Sequence, residues 1–457
     1  MYEDDEENDD LQETKSRTWP TKAISSCLVV VMLCTITATP IAVAYRYYEQ
    51  WRVSRESSVD DGSTSGRVNR IAYISDDRQL VTSAPDGTDV RKLSAEGAYQ
   101  FPAWSPDGSE IAIIGGSTLY SFQDRDGAEE SGAYDILYQD EVDQPFYLYW
   151  APDGQELSFL TNHADSLALQ MASAGSAPES RILATGQPFY WDWDPNGDDL
   201  LLHSGIPGEE TRLALLNSNS GTFGESIAEA GLFQAPGISV DGHYWAYAQI
   251  GSDGGNHLTI LSASDGRETV LESVPGMLAM GWSPLDNLLA YTSAGDRSHA
   301  FYGPLHLVNA DTGDRLLLVN DTVIAFFWSP DGRSIAYFKF ADPVEDSIQV
   351  NFETSSRFVL SKPAVQQNRI RLELWVASIS SGESTWLATF EPPGLYMSQF
   401  LPFFDQYALS HRIWSPESDA LVLPMVDSDG PWIYIVSADG DEILPVARGQ
   451  IGFWSHQ

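Results

Sequence analysis

The sequence predicts an all-β fold: an eight-bladed β-propeller, closed by N- and C-terminal strands sharing one blade and preceded by one N-terminal transmembrane helix. Three observations predict it. A Trp-centred turn motif recurs along the chain, a second, Gly-centred turn recurs out of phase with it, and a run of 23 residues near the N-terminus carries no charge. With 43% hydrophobic and 12% aromatic residues, the 457-residue chain is too apolar to be disordered.

Taken in chain order, residues 1–22 form an acidic tail with eight acids against three bases. Residues 23–45 (AISSCLVVVMLCTITATPIAVAY) follow as the transmembrane helix. As a helix this run spans about 34 Å at 1.5 Å per residue, enough for a bilayer core with modest tilt. Trp19 before it and Tyr45, Tyr47, Tyr48 and Trp51 after it match an interfacial aromatic belt. A second reading is a signal peptide cut after Ala44, where Ala42-Val43-Ala44 has the small-x-small form and the product is secreted. Residues 46–68 are small and polar and read as a flexible tether. The propeller occupies 69–457.

Within it, the repeat segments centre on Trp104 (AWSPDGSEIAI), Trp150, Trp193, Ile238 (GISVDGHYWAYA), Trp282, Trp328 (FWSPDGRSIAYF), Trp414 and Trp454. Successive spacings are 46, 43, 45, 44, 46, 86 and 40, and seven of the 14 tryptophans sit at this position. Ser-Pro-Asp-Gly is a type I turn, because Pro presets φ at its second position and Gly suits its fourth. The apolar alternation after it is a strand pattern. Each unit therefore opens with a strand, a tight hairpin and a second strand. The second turn recurs at Gly87, Gly127, Gly175, Gly221, Gly266, Gly313, Gly382 and Gly440, where a third strand would meet a fourth. Four antiparallel strands repeated every 40–45 residues make a propeller, and both turns count eight units. At the ends, Arg70-Ile71-Ala72-Tyr73 reads as a second strand without a first, and Trp454 as a first strand without a second, so the two complete one blade. The long interval after Trp328 holds two insertions, about 339–369 and about 391–411.

At these Trp-Ser-Pro-Asp-Gly segments, from about Arg70 to Gln457, the chain resembles the TolB-type propeller family. The resemblance implies a propeller in an extracytoplasmic setting, with protein-binding roles. TolB's own partners do not carry over, because TolB has six blades and a separate N-terminal α/β domain. The layout is also similar to the propeller half of membrane-anchored dipeptidyl-peptidases, which continue into an α/β-hydrolase domain. This sequence holds no Gly-x-Ser-x-Gly nucleophile elbow.

Composition excludes several functions. Asp plus Glu total 65 against 25 Lys plus Arg, a net charge of −40 with no basic cluster, which excludes nucleic acid as a partner. That charge reads either as a solvating surface for a saline habitat or as a field that attracts cationic partners. The two cysteines, Cys27 and Cys34, both lie in the apolar run, leaving no thiolate zinc site elsewhere. The histidines show no metalloprotease spacing, and Asp427-Ser428-Asp429-Gly430 resembles part of a calcium loop but is also ordinary turn chemistry. No cofactor and no metal are expected, and no catalytic residue is assigned.

Both insertions fall on the face opposite the Ser-Pro-Asp-Gly turns. The second (GLYMSQFLPFFDQYALSHRIW) supplies the candidate binding residues Phe403, Phe404, Asp405, Gln406, Tyr407, His411 and Arg412. The same residues also read as a hydrophobic plug. Three functions follow as expectations. One is a membrane-anchored extracytoplasmic module that binds a protein or polymer at its loop-decorated face and touches the membrane through the N-terminal helix only. The others are a propeller hydrolase or lyase using channel carboxylates, and a structural subunit of a membrane complex.

Overall fold

The computed structural model describes residues 68–125, 134–175, 179–205, 211–295, 301–341 and 370–456. The acidic tail, the apolar run, nearly all of the tether and most of the first insertion lie outside them. The described strands form seven hydrogen-bonded antiparallel sheets, and the fold is an all-β seven-bladed propeller. Five sheets have four strands in sequence order, one (Phe189–Trp193, Asp199–Ser204, Arg212–Asn217) has three, and one has six.

Two expectations are corrected here. The count of eight blades becomes seven, because the repeat units at the two chain ends belong to one sheet. Ile443–Trp454 is a single twelve-residue strand. Its first half pairs with Gly430–Ser437, through Ile443↔Val436 to Arg448↔Trp432. Its second half pairs with Ile71–Ser75, from Gly449↔Ser75 to Trp454↔Ile71. Counting turns in the sequence separates two units that the backbone joins. The junction requires glycine: a Cβ on Gly449 would lie 2.6 Å from the Ile74 carbonyl oxygen. The second correction concerns the transmembrane helix. No helix among the described residues is long and apolar enough to cross a membrane, so that element leaves the description of the fold. The run that suggested it, 23–45, is outside the described residues.

Each repeat turn locks itself. At Ser105-Pro106-Asp107-Gly108 the Gly108 N–H donates to the Ser105 carbonyl (2.9 Å). Ser105 Oγ donates to Asp107 (2.7 Å) and accepts the Glu110 N–H (3.0 Å). Ser239 with Asp241 and Ser329 with Asp331 repeat the pattern.

The repeat tryptophans join neighbouring sheets. Trp150 Nε1 donates to the Ala103 carbonyl (3.1 Å), Trp328 to Gly281 (3.0 Å), Trp414 to Phe327 (3.0 Å) and Trp104 to Phe453 (3.2 Å). In each case the acceptor is the residue just before the repeat tryptophan of the preceding unit. Three tryptophans depart from the pattern: Trp454 donates to the Asn69 side chain (2.6 Å), and the buried indole nitrogens of Trp193 and Trp282 have no partner among the described residues. Beside Trp193, the Tyr149 carbonyl is taken by Ser158 Oγ (2.9 Å), which itself accepts the Trp191 indole (3.0 Å).

A buried indole bond contributes about 1 kcal/mol, and an orphaned buried partner costs about 1–3 kcal/mol. Trp150→Phe should therefore cost about 1–3 kcal/mol more than Trp193→Phe, as chemical denaturation of the two variants will show. Equal losses would mean that the indole bond contributes nothing beyond ring packing.

Candidate functional site

The second insertion occupies the channel. Pro392-Pro393-Gly394 ends the preceding blade, and the chain then coils through a π-helical turn, Tyr396–Phe400, a 3₁₀ turn, Leu401–Phe403, and an α-helix, Phe404–Ser410 (α1). Tyr396, Phe400, Phe404 and Tyr407 recur at helical spacing on one buried face. Phe404 packs edge-on against Phe301, Phe326 and Phe327, with centroids 5.2–5.8 Å apart. Phe400 stacks on Phe327, and Tyr407 meets both Phe101 (4.8 Å) and Tyr147 (5.2 Å). One short helix thus touches the innermost strands of several sheets.

Innermost strands present unpaired backbone groups to the channel, and burying them unbonded is costly. The insertion bonds them. Gln406 clasps Trp191 from both sides: its Oε1 accepts the Trp191 N–H and its Nε2 donates to the Trp191 carbonyl, each at 2.8 Å. Asp405 Oδ2 accepts the Ala235 N–H (3.0 Å), and Tyr147 Oη donates to the Gln406 carbonyl (2.9 Å). His411 Nε2 donates to the Phe101 carbonyl (3.2 Å), while Ser410 Oγ donates to its Nδ1 (2.7 Å). Those bonds fix a neutral imidazole, and burial holds its pKa down at about 4.

Of the seven residues singled out in the sequence, Phe404, Asp405, Gln406, Tyr407 and His411 are buried together in this plug. Phe403 is different: it is 41% exposed. Arg412 pairs with Trp454 in an isolated β-bridge, its Nη1 donates to the His456 carbonyl (2.8 Å), and burial lowers its pKa to about 10. Asp427-Ser428-Asp429-Gly430 is the hairpin turn between Ala420–Asp427 and Gly430–Ser437.

Two buried acids flank the plug. Burial pushes both Asp405 and Asp192 up to about 7. Asp192 accepts the Ile238 N–H (2.8 Å) and the Tyr149 hydroxyl (3.3 Å). No basic side chain bonds to either acid among the described residues. Asp192 also lines a 320 Å³ pocket at the turn-side mouth of the channel, with Leu409 of α1 as the plug's contribution and Trp193, Ile238, Met280 and Trp282 around it. The pocket has a local cause. Ile238 stands at the repeat-tryptophan position, so one large ring is missing from the mouth. Gly237 before it admits the neighbouring indole, since a Cβ there would lie 2.8 Å from Trp282 Cδ1. Asp192, Trp193 and Trp282 were not assigned a role from the sequence. The signal available was the one repeat position without tryptophan.

No family model matches the chain, and no curated protein matches it in sequence. Solved structures match in fold. A prolyl endopeptidase structure is 12% identical over 77% of this chain, with a TM-score of 0.50. An oligogalacturonate lyase in complex with manganese is 13% identical over 82% of this chain and 83% of its own, at 0.43. TolB from Acinetobacter baumannii is 17% identical over 56% of this chain, at 0.35. The chain spans 64% of the length of that TolB and 50% of that of the prolyl endopeptidase. What it shares with these neighbours is the β-propeller.

The buried acids and histidines set opposing pH dependences. Between about pH 4 and pH 7 the folded chain keeps protons on Asp192 and Asp405 that the unfolded chain releases, so their contribution to stability falls as pH rises through that window. His203, held near 4, and His456, held near 3, act with His411 in the opposite sense: their contribution falls as pH drops below 6.5. Asp192→Asn mimics the protonated acid. Relative to the parent, it should gain up to about 3 kcal/mol between pH 5 and pH 8.5, at ~1.4 kcal/mol per pKa unit. Parallel unfolding curves at both pH values test this, and a pH-independent difference would mean that Asp192 titrates normally.

Proposed function

We propose that the chain is a binding propeller that takes a protein or polymer partner at the turn-side mouth of its channel. The observation that carries this reading is the contrast between the two ends of the plug. At one end Asp405, Gln406 and His411 are committed to internal bonds, whereas the opposite mouth keeps an open, largely apolar pocket. A binding scaffold benefits from a rigid floor under an open mouth.

A hydrolase or lyase reading draws on Asp192 and Asp405, whose raised pKa values suit acid–base chemistry. It is weakened by the lack of a basic partner and by the backbone N–H that each acid already accepts. Binding at the loop-decorated face is favoured by one specific observation, the exposed Phe403 ring on the plug.

Val240, 46% exposed at the turn-side mouth, and Phe403 mark the two ends. Captures with the parent full chain and with its Val240→Arg and Phe403→Arg variants will separate the readings. Loss of the captured partner with Val240→Arg alone supports the turn-side mouth. Loss with Phe403→Arg alone moves the site to the plug face, and loss with neither removes both mouths.

A further inference from the structure

The turn-side face carries two cavities that share a wall. One is the 320 Å³ pocket at the channel mouth, lined largely by apolar residues that include Pro152, Pro195, Val240, Pro284 and Leu409. Beside it lies a polar trough of 590 Å³, lined by residues 153–156 and 196–198 of two repeat turns, by 173–175 and 218–219 of the second turns, and by Glu110. The wall between them is one residue thick. Pro152 lines the pocket and Asp153 the trough, and Pro195 and Asn196 repeat the division.

The two cavities suit opposite chemistries. The lip of the pocket is aliphatic and exposed. Two turns there, Ser239-Val240-Asp241-Gly242 and Ser283-Pro284-Leu285-Asp286, depart from Ser-Pro-Asp-Gly by an aliphatic residue, and those residues stand at the surface: Val240 is 46% exposed and Leu285 52%. Exposed apolar patches with a polar rim mark interaction sites. The trough is acidic. Segments 151–156, 194–199, 239–244 and 283–288, which form the turns around both cavities, hold seven acids and no Lys or Arg. Arg181 covers Glu156 in a bidentate pair (2.7 and 2.9 Å), and no cation pairs with Asp153 or Asp198 among the described residues. Among the described residues no three acids or histidines converge as a metal site. Carboxylates spread in this way suit a cation that carries several N–H donors on a flexible stem, an ammonium or a guanidinium.

A ligand that fills both cavities is therefore aliphatic at one point and cationic close by. An extended peptide advances about 3.3 Å per residue, so side chains about two to four residues apart reach across the wall. Anionic lipid and nucleic acid carry the wrong charge for this collar in a chain of net charge −40.

We propose that the turn-side face docks a basic peptide segment of a partner protein, with one large aliphatic side chain seated in the pocket and neighbouring Lys or Arg side chains in the trough. The proposal rests on the turn-side mouth being the binding end and adds the chemistry of the partner. The aliphatic anchor supplies most of the affinity, because a side chain desolvated in a pocket dominates an interface. The basic residues steer the encounter and add a share that salt removes.

The test uses the full chain and fluorescein-labelled synthetic peptides of about ten residues, roughly 33 Å when extended, read by fluorescence anisotropy. The first has a central Leu between Lys and Arg flanks, the second has Ala for Leu, and the third has Glu for every base. The expected result is binding of the first peptide and about tenfold weaker binding of the other two. Raising NaCl from about 0.1 M to about 1 M shortens the screening length from about 10 Å to about 3 Å and should weaken the first peptide about tenfold. Val240→Arg blocks the lip and should weaken it about tenfold at either salt concentration. Asp153→Asn combined with Asp198→Asn removes two trough charges and retains an Oδ1 acceptor for the Gln155 N–H (2.9 Å). This double variant should bind about fivefold more weakly at low salt and like the parent at high salt. Circular dichroism checks the fold of both variants, and if Val240→Arg does not fold, the double variant decides.

Equal affinity for the Ala-for-Leu peptide, or full low-salt affinity in the double variant, overturns the proposal. So does a dimer in sedimentation that Val240→Arg dissolves, which would give the mouth to a second copy of the chain. If no peptide binds while Val240→Arg still removes a captured partner, the partner chemistry is wrong and the turn-side mouth stands. If the first peptide binds a folded Val240→Arg variant as it binds the parent, the mouth itself is excluded as its site.

Discussion

The indole N–H that reaches from one blade to the backbone carbonyl of the blade before it is the interaction on which this ring depends. Sheet hydrogen bonds run within blades, and ring-to-ring packing holds blades together without specifying their register. The directed bonds from Trp104, Trp150, Trp328 and Trp414 supply that register, because each indole has one carbonyl it can reach. At the seam the last tryptophan, Trp454, turns instead to the Asn69 side chain (2.6 Å), so chain closure uses the same donor with a substitute acceptor. Closure is reinforced beside it. Arg70 and Arg91 both meet the buried Asp124 of the next blade at 2.9 Å, and Thr82 Oγ1 donates to the same carboxylate (2.6 Å).

Much of this was legible in the sequence because its causes are local. A Ser-Pro-Asp-Gly turn carries its own bonds, and a Trp at constant spacing announces a ring whatever lies around it. The number of blades was less legible. Motif counting registers where strands turn, and it cannot register that one strand runs without a turn from Ile443 to Trp454 and serves two units. The fused sheet depends on Gly449, an unremarkable glycine in the sequence whose necessity shows only when the Ile74 carbonyl is beside it.

The candidate site divides along the same line. The aromatic and polar mixture of 396–412 marked a segment that the structure buries against several blades, because an insertion that dense in rings has to be buried or bound. Which polar groups remain free is a property of partners far away in sequence. Gln406 is occupied by Trp191, His411 by Phe101, and Asp405 by Ala235, pairings of 170 to 310 residues' separation that no local pattern predicts. Two repeat indoles without a partner among the described residues flank Ile238 instead, where the signal was an absence in a repeat rather than a cluster of reactive residues.

That absence has two structural consequences. Ile in place of Trp removes an indole donor from one blade and ring volume from the mouth. Beside the vacancy, Trp282 has drawn against Gly237 without reaching an acceptor, and Trp193 has lost its carbonyl to the Ser158 relay. An ordinary core substitution would leave a void with its neighbours' polar groups still paired. Here the loss of volume coincides with two donors that have no partner among the described residues, each a standing cost to stability of about 1–3 kcal/mol. The ring satisfies the same donor at Trp104, Trp150, Trp328 and Trp414, so the cost falls on the two blades that flank the one repeat position without tryptophan.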